Sequence, residues 1–381
     1  MKIKGAIILG GYVNALAVAR GFVDHGLEAI LVNNKKFQPA NFSRKTTFIK
    51  SPAISETKDF LDFLNKLPKK YKNKSYWLIP TCDLGVELLS RNKNDFQKDY
   101  LVFADDLEKI ELIEEKDKIF GSIKNIANIP NYKVYKQDLA GLKDFKFPVI
   151  IKSRLPHAHD LKKIKIVAQT YTEAQKELQN LPISLRQEGV IVQQYLAGLK
   201  QLSFSCFARN GEIIRFFMSE KVRSRPAEYG SFTIIKSIYS PELYKIAQEI
   251  LSKISYSGVC EVEFLFDSKS NKFIFLEINP RFWMQNGLAK KIGVDLIEPL
   301  INPNALKQNS ENSYKIGVKW VHFYSDLAQA ISEIKKKTFS LSDYLVGLKG
   351  EKMEAAFSWS DPIPFLIETG QALTALMKGK L

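Results

Sequence analysis

Three carboxylates and an amide stand at strand spacing in one short stretch, Tyr256 to Trp283, YSGVCEVEFLFDSKSNKFIFLEINPRFW. Val259 to Asp267 and Phe273 to Asn279 have the composition of strands, Ser268 to Lys272 is a polar turn, and Pro280 stops the second strand. Side chains alternate faces along a strand. Glu261 and Glu263 therefore share one face, and Glu277 and Asn279 share one face of the partner strand. If the strands pair, the four groups converge on one patch. Clustered carboxylates repel each other and favour a cation. An oxygen-only set with room for waters and phosphate suits Mg²⁺. Arg281, two residues on, is placed to clamp a transferring phosphoryl group. Val262 and Phe264, with Ile274, Leu276 and Ile278, form the opposite, apolar faces and predict a core. A solvated acidic hairpin is the bland alternative. The strongly apolar strands and the closing Asn-Pro-Arg weigh against it.

Other residues carry weaker signals. Lys152 sits in an apolar strand, FPVIIKS, where a lysine needs a partner. Arg223 and Arg225 fall in a polar, basic loop, Glu220 to Thr233, and a forked guanidinium suits a carboxylate or phosphate. A solvated loop is the alternative there.

The elements that position these residues can be read in outline. Ala6 to Gly10 is a strand, Gly10-Gly11-Tyr12-Val13-Asn14 a tight turn, Ala15 to His25 a helix and Ala29 to Asn33 a second strand. A nicotinamide site needs G-x-G-x-x-G and an acid at the end of that second strand. Here the third glycine is absent and the strand ends in Asn33. Ser75 to Pro80 is a further strand, followed by Asp83, expected to cap a helix. Asp106 to Asn128 is predicted as one helix with Lys116-Asp117-Lys118 near its middle. Asn210-Gly211 marks a hairpin turn.

At 381 residues, two or three domains are expected. The net charge of +15 favours anionic partners. The basic residues are spread out, with no aromatic-interleaved block, so nucleic acid is not expected as a partner. Three cysteines, Cys82, Cys206 and Cys260, lie far apart with no C-x-x-C, which predicts buried, reduced thiols in a cytoplasmic protein. No run of about 18 apolar residues predicts a transmembrane helix. The final helix, Pro364 to Met377, is amphipathic and is followed by Lys378 and Lys380. It is expected to pack against the body, with a membrane surface as the alternative.

G-V-C-E-V-E-F followed by F-L-E-I-N-P-R resembles the metal-binding signature of the ATP-grasp superfamily. The order of elements from residue 1 to about 305 resembles carboxylate–amine ligases related to the carbamoyl phosphate synthase large subunit. The resemblance implies an α/β ATP-grasp fold. It would comprise a Rossmann-like N-terminal domain (1–115), a small lid subdomain (116–190), a central antiparallel-sheet ATP and metal domain (191–305) and a C-terminal subdomain (306–381). It implies that Glu263, Glu277 and Asn279 hold Mg²⁺, with Mn²⁺ as a substitute, and that Arg281 contacts the γ-phosphate or an acyl phosphate. Lys118 and Lys152 would reach the ATP phosphates. Tyr195 and Leu196 would bond the adenine edge by their backbone, with Gln193 and Gln194 beside them where family members often place a ribose-binding acid. Family members often carry a glycine-rich lid loop after Lys152. This chain has Arg154-Leu155-Pro156-His157-Ala158-His159-Asp160 instead, so Arg154, His157 or His159 would cover the phosphates by side chain. The implied activity joins a small-molecule carboxylate, activated by ATP, to an amine, with Arg223 or Arg225 recognising the carboxylate. A homodimer is compatible with this. Two other classes stand beside it: a nicotinamide-dependent oxidoreductase, and a basic nucleic-acid or membrane-surface binding protein with a degenerate ATP-grasp site.

Overall fold

The computed structural model describes residues 2–136, 139, 141–154, 164–226, 230–308 and 313–378. The short apolar runs near the N-terminus become five strands: β1 (Gly5–Leu9), β2 (Glu28–Asn33), β3 (Thr47–Lys50), β4 (Tyr76–Pro80) and β5 (Leu101–Val102). They pair in parallel in the order β3-β2-β1-β4-β5. All of β1 is buried, as befits the centre of a parallel sheet. The glycines after β1 are needed for close approach. A Cβ on Gly10 would lie 2.0 Å from the Thr81 hydroxyl, and one on Gly11 would lie 2.5 Å from the Asn33 amide. Both therefore make room for the chain's own side chains rather than for a dinucleotide phosphate.

Four antiparallel strands form a second, small sheet: β6 (Tyr132–Tyr135), β7 (Val149–Ser153), β8 (Lys165–Ala168) and β9 (Val190–Gln194), ordered β6-β9-β7-β8. The third sheet is the largest. It contains β10 (Lys200–Arg209), β11 (Glu212–Arg225), β12 (Ser231–Ile238), β13 (Gly258–Asp267), β14 (Lys272–Asn279), β15 (Lys319–Val321) and β16 (Lys352–Glu354). Their order is β14-β13-β10-β11-β12-β15-β16, antiparallel except for the pair β15 and β16. Asn210 and Gly211 both take positive φ at the β10–β11 turn, as their types predict. The α/β class and the mixture of parallel and antiparallel sheets are as expected.

Several local expectations change. The single helix over 106–128 is two, Leu107–Glu114 and Lys116–Ile123, because Glu115 takes an extended conformation between them. Ion pairs from Glu115 to Lys118 and Arg154 hold the break. The polar loop over 220–233 is mostly strand. β11 runs to Arg225 and β12 starts at Ser231, with a bulge at Val222. The expected core face of β14 also shifts. Phe273, Phe275 and Ile278 are buried, whereas Ile274 and Leu276 are only half-buried, because the pairing with β13 slips a register at Leu276. Cys206 and Cys260, distant in sequence, face each other across β10 and β13 with sulfurs 3.6 Å apart.

The C-terminal segment joins the other parts of the chain. β15 and β16 extend the large sheet, and the terminal helix Ile363–Met377 rests on the turn Pro39–Phe42. Asp361, fully buried, anchors this packing. Its carboxylate accepts from Arg20 at 2.9 Å, from the Ser43 hydroxyl at 2.8 Å and from the Arg44 amide at 3.0 Å. Removing one side of a buried ion pair leaves the other uncompensated. Asp361→Ala should therefore lower the free energy of unfolding by about 3 kcal/mol in urea denaturation. An unchanged midpoint would show that this anchor contributes nothing.

Candidate active site

The acidic stretch does form a hairpin. Glu263 stands opposite Glu277 and Glu261 opposite Asn279, so the four side chains meet on one face of β13 and β14. That face forms one wall of a cleft of about 740 Å³, a size suited to a nucleotide-class ligand. The small sheet forms the other wall, contributing Lys152 from β7, Lys165 from β8 and Gln193 and Gln194 from β9.

The carboxylates are held by a dense set of partners. The Asn279 amide donates to Glu261 at 3.3 Å and to Glu263 at 3.2 Å. Ser203 donates to Glu261 and Gln201 to Glu263, each at 2.7 Å. The Lys221 ammonium lies 2.7 Å from Glu263 and 3.6 Å from Glu261, on a side chain only 3% exposed. Lys116 reaches Glu277 at 3.4 Å. Among the described residues, no group of three or more carboxylates, thiols or imidazoles is arranged to hold a metal by itself. Two carboxylates with an amide fit a different kind of site, one whose Mg²⁺ keeps waters and phosphate oxygens in its shell. The lysine ammonium seated against Glu263 shows that this face accommodates a cation.

Burial sets the charge states. It pushes Glu261 up to about 7, against the pull of the Lys221 ammonium. Burial works against Lys221 as well, but Glu261 and Glu263 outweigh it and hold its pKa above the ordinary lysine value. Lys152 is depressed to about 8 by desolvation, with Glu277 opposing and Lys116 adding to the fall. Desolvation also lowers Lys165.

The structure brings together Lys152, Gln193, Gln194, Tyr195, Leu196, Glu263, Glu277, Asn279 and Arg281 on the cleft. The Tyr195 amide donates to the Pro148 carbonyl at 3.0 Å, so that N–H already has an acceptor. Arg281 is braced by an ion pair with Asp83, which is not the helix cap it was expected to be. Lys118, Arg154 and Arg225 do not line the cleft, and Arg223 lines it with its guanidinium engaged. Lys118 is half-exposed, pairs with Glu115 at 2.7 Å and does not line the cleft. Its neighbour Lys116 takes the position, because the helix break at Glu115 turns Lys116 toward Glu277. Arg154 directs its fork to Asp117 at 2.8 and 3.0 Å and to Glu115 at 2.9 Å, bracing β7 to that helix. Arg223 does line the cleft, but its fork grips buried Asp326 in a bidentate pair at 2.5 and 2.9 Å, under the Tyr344 ring. Its guanidinium is thus committed to the fold. Arg225 does not line the cleft; its charge reaches the Tyr12 hydroxyl instead. His157 and His159 lie outside the described residues.

Lys116, Lys165 and Lys221 were missed. Lys116 was visible in the same Lys-Asp-Lys element. Lys221 was hidden by its assignment to a loop; alternation along β11 would have placed it inward.

Comparisons with known proteins bear on the fold around this cleft. Residues 127–302 match the family described as the carbamoyl-phosphate synthase L chain, ATP binding domain. A D-aspartate ligase of Enterococcus faecium is 21% identical over 304 residues, covering 72% of this chain and 70% of that protein. The crystal structure of an L-amino acid ligase from Bacillus licheniformis superposes with a TM-score of 0.60 at 12% identity, covering 82% of this chain and 76% of that one. The biotin carboxylase domain of 2-oxoglutarate carboxylase from Hydrogenobacter thermophilus, solved with MgADP and bicarbonate, gives a TM-score of 0.64 at 14% identity. It covers 84% of this chain and 74% of that one. A cleft between a small antiparallel sheet and a larger one, behind a parallel N-terminal sheet, is the ATP-grasp fold. Over residues 127–302 the chain thus matches that ATP binding family, and its fold is the one shared by the ATP-grasp ligases on which it superposes.

The buried ion pair within this site is testable by stability alone. Lys221→Met leaves Glu263 unpaired and should cost about 3 kcal/mol in urea denaturation. Adding Glu263→Gln should recover at least about half of that loss. Equal losses in the single and double variants would show that the two residues are not coupled.

Proposed function

We propose that this protein activates the carboxylate of an amino-acid-like substrate as an acyl phosphate and joins it to an amine. ADP and phosphate would be released. The observation that carries the proposal is the facing of three lysines, Lys116, Lys152 and Lys165, against the Glu263–Glu277 pair across one cleft. The relatives that act on D-aspartate and on L-amino acids support an amino-acid carboxylate.

Each residue has a distinct task in this proposal. Lys116, Lys152 and Lys165 hold the phosphate oxygens and orient the γ-phosphoryl group. Glu263, Glu277 and Asn279 would hold Mg²⁺, whose charge neutralises the triphosphate when bound. Arg281, fixed by Asp83, faces the charge that develops on the transferred group. Lys221 keeps Glu261 and Glu263 in place while the cleft is empty. The Gln193–Leu196 stretch holds the base and sugar. The amine attacks the acyl carbon, and phosphate leaves with the bonding pair.

The direct test is Mg²⁺-dependent ADP release over a panel of amino acids, with hydroxylamine to capture the acyl phosphate as a hydroxamate. A hydroxamate formed with one carboxylate supports the proposal. ADP release without hydroxamate from any carboxylate counts against it. Glu277→Gln should reduce ADP release by at least about 100-fold while leaving the unfolding midpoint near that of the parent. An undiminished rate would remove Glu277 from the site.

Lys152 predicts a pH effect with a definite sign. With a pKa of about 8 it loses its proton as pH rises through 8 in the free protein. Phosphate favours the charged form, so nucleotide binding should weaken above that pH and take up a proton. Calorimetry in buffers of different ionisation enthalpy at pH of about 8.5 measures this uptake directly. Lys152→Arg should abolish it, since arginine stays charged.

A further inference from the structure

The terminal helix presents an apolar face that nothing among the described residues covers. Leu366, Leu373 and Met377 follow one another at helical spacing, and Leu376 lies beside them. All four are more than half exposed, Met377 reaching 80%. Two aromatic side chains continue the surface: Trp359, 90% exposed, and Phe37, on the loop that the helix touches. Gln371 of the helix donates to the Phe37 carbonyl at 2.7 Å, so the loop adjoins the helix. Lys45 bonds Ser360, next to Trp359, at 2.8 Å. Scattered single apolar residues are ordinary on a protein surface; four on one face of a helix form a candidate binding surface.

The charges around this group identify its occupant. The loop from residue 34 to 45 contains Lys35, Lys36, Arg44 and Lys45 and no acid. On the helix, the one carboxylate, Glu368, is buried beside His322, and Lys378 follows the last turn. A second copy of this chain docking face to face would set these cations against their own equivalents. An anionic lipid surface complements them, and exposed tryptophan suits the headgroup region. The helix has 15 residues, a length of about 22 Å, short of the roughly 30 Å needed to span a bilayer core. No helix among the described residues is long and apolar enough to cross a membrane. We propose that the Ile363–Met377 helix, with Trp359 and Phe37, lies flat on anionic membranes. In that pose its apolar face enters the headgroup boundary and the lysines of the 34–45 loop meet lipid phosphates.

None of these residues lines the cleft, so the surface can be altered without touching the site. The experiment is co-sedimentation of the full chain with vesicles of phosphatidylcholine alone and of phosphatidylcholine with phosphatidylglycerol. Binding should be at least about tenfold stronger to the anionic vesicles and should fall between about 50 mM and about 500 mM salt. Leu373→Glu with Met377→Glu, and separately Lys35→Glu with Lys36→Glu, should each reduce it by about tenfold or more. Their unfolding midpoints should match the parent. If the helix variant unfolds, Trp359→Ser, at a fully projecting side chain, takes its place and should show a weaker loss of binding. Equal binding to both vesicle types, or variants that bind like the parent, would overturn the proposal. A parent dimer in light scattering that Leu373→Glu with Met377→Glu converts to monomer would overturn it too, by assigning the face to a second copy.

Discussion

The site depends on one electrostatic constraint. Three carboxylates crowd one face of β13 and β14, and Lys221 and Lys116 stand against them from β11 and the helix Lys116–Ile123. Like charges this close are tolerable only when cations from outside the hairpin answer them. Each answering cation comes from a different element, so the charge balance ties the hairpin to β11 and to the helix that follows Glu115.

Burial gives that balance its chemical use. Lys152 is half-discharged near pH 8 because the small sheet removes water from it, and a phosphate in the cleft would restore its charge. Glu261 is pushed toward neutrality in the same low-dielectric wall, yet stays bonded to Ser203 and Asn279. Wall residues with opposite tendencies suit a ligand that carries both a metal ion and several negative oxygens. Arginines that look similar in sequence divide by what they face. Arg281 and Arg223 both line the cleft, yet Arg223, like Arg154, uses its planar fork on an acid of the fold, Asp326 for the one and Asp117 for the other.

The positive balance of the chain has more than one destination. Some lysines are absorbed by the carboxylates of the cleft. Others, at 35, 36 and 45, gather beside exposed apolar side chains far from it in sequence, on the loop that the terminal helix contacts. Composition alone could not separate these uses, because a net charge carries no positions.

The hairpin was legible in the sequence because strand alternation is local. Two residues apart means one face, and that placed Glu261 with Glu263 and Glu277 with Asn279 before any fold was known. The same locality marked the Asn210–Gly211 turn and the odd lysine at 152. Positions that depend on contacts across the chain were not legible. Which lysine of Lys116-Asp117-Lys118 faces the cleft is decided by a helix break at Glu115, held by Arg154 thirty-nine residues away. Whether 220–233 is loop or strand is decided by the pairing of the end of β11 with β12, which gives Lys221 its buried side. Whether Arg223 binds substrate or structure is decided by Asp326, a partner 103 residues distant. Alternation and turn chemistry are properties of neighbours along the chain, so the sequence determines them. Charge partnership and burial are properties of neighbours in space, and only the tertiary structure decides them.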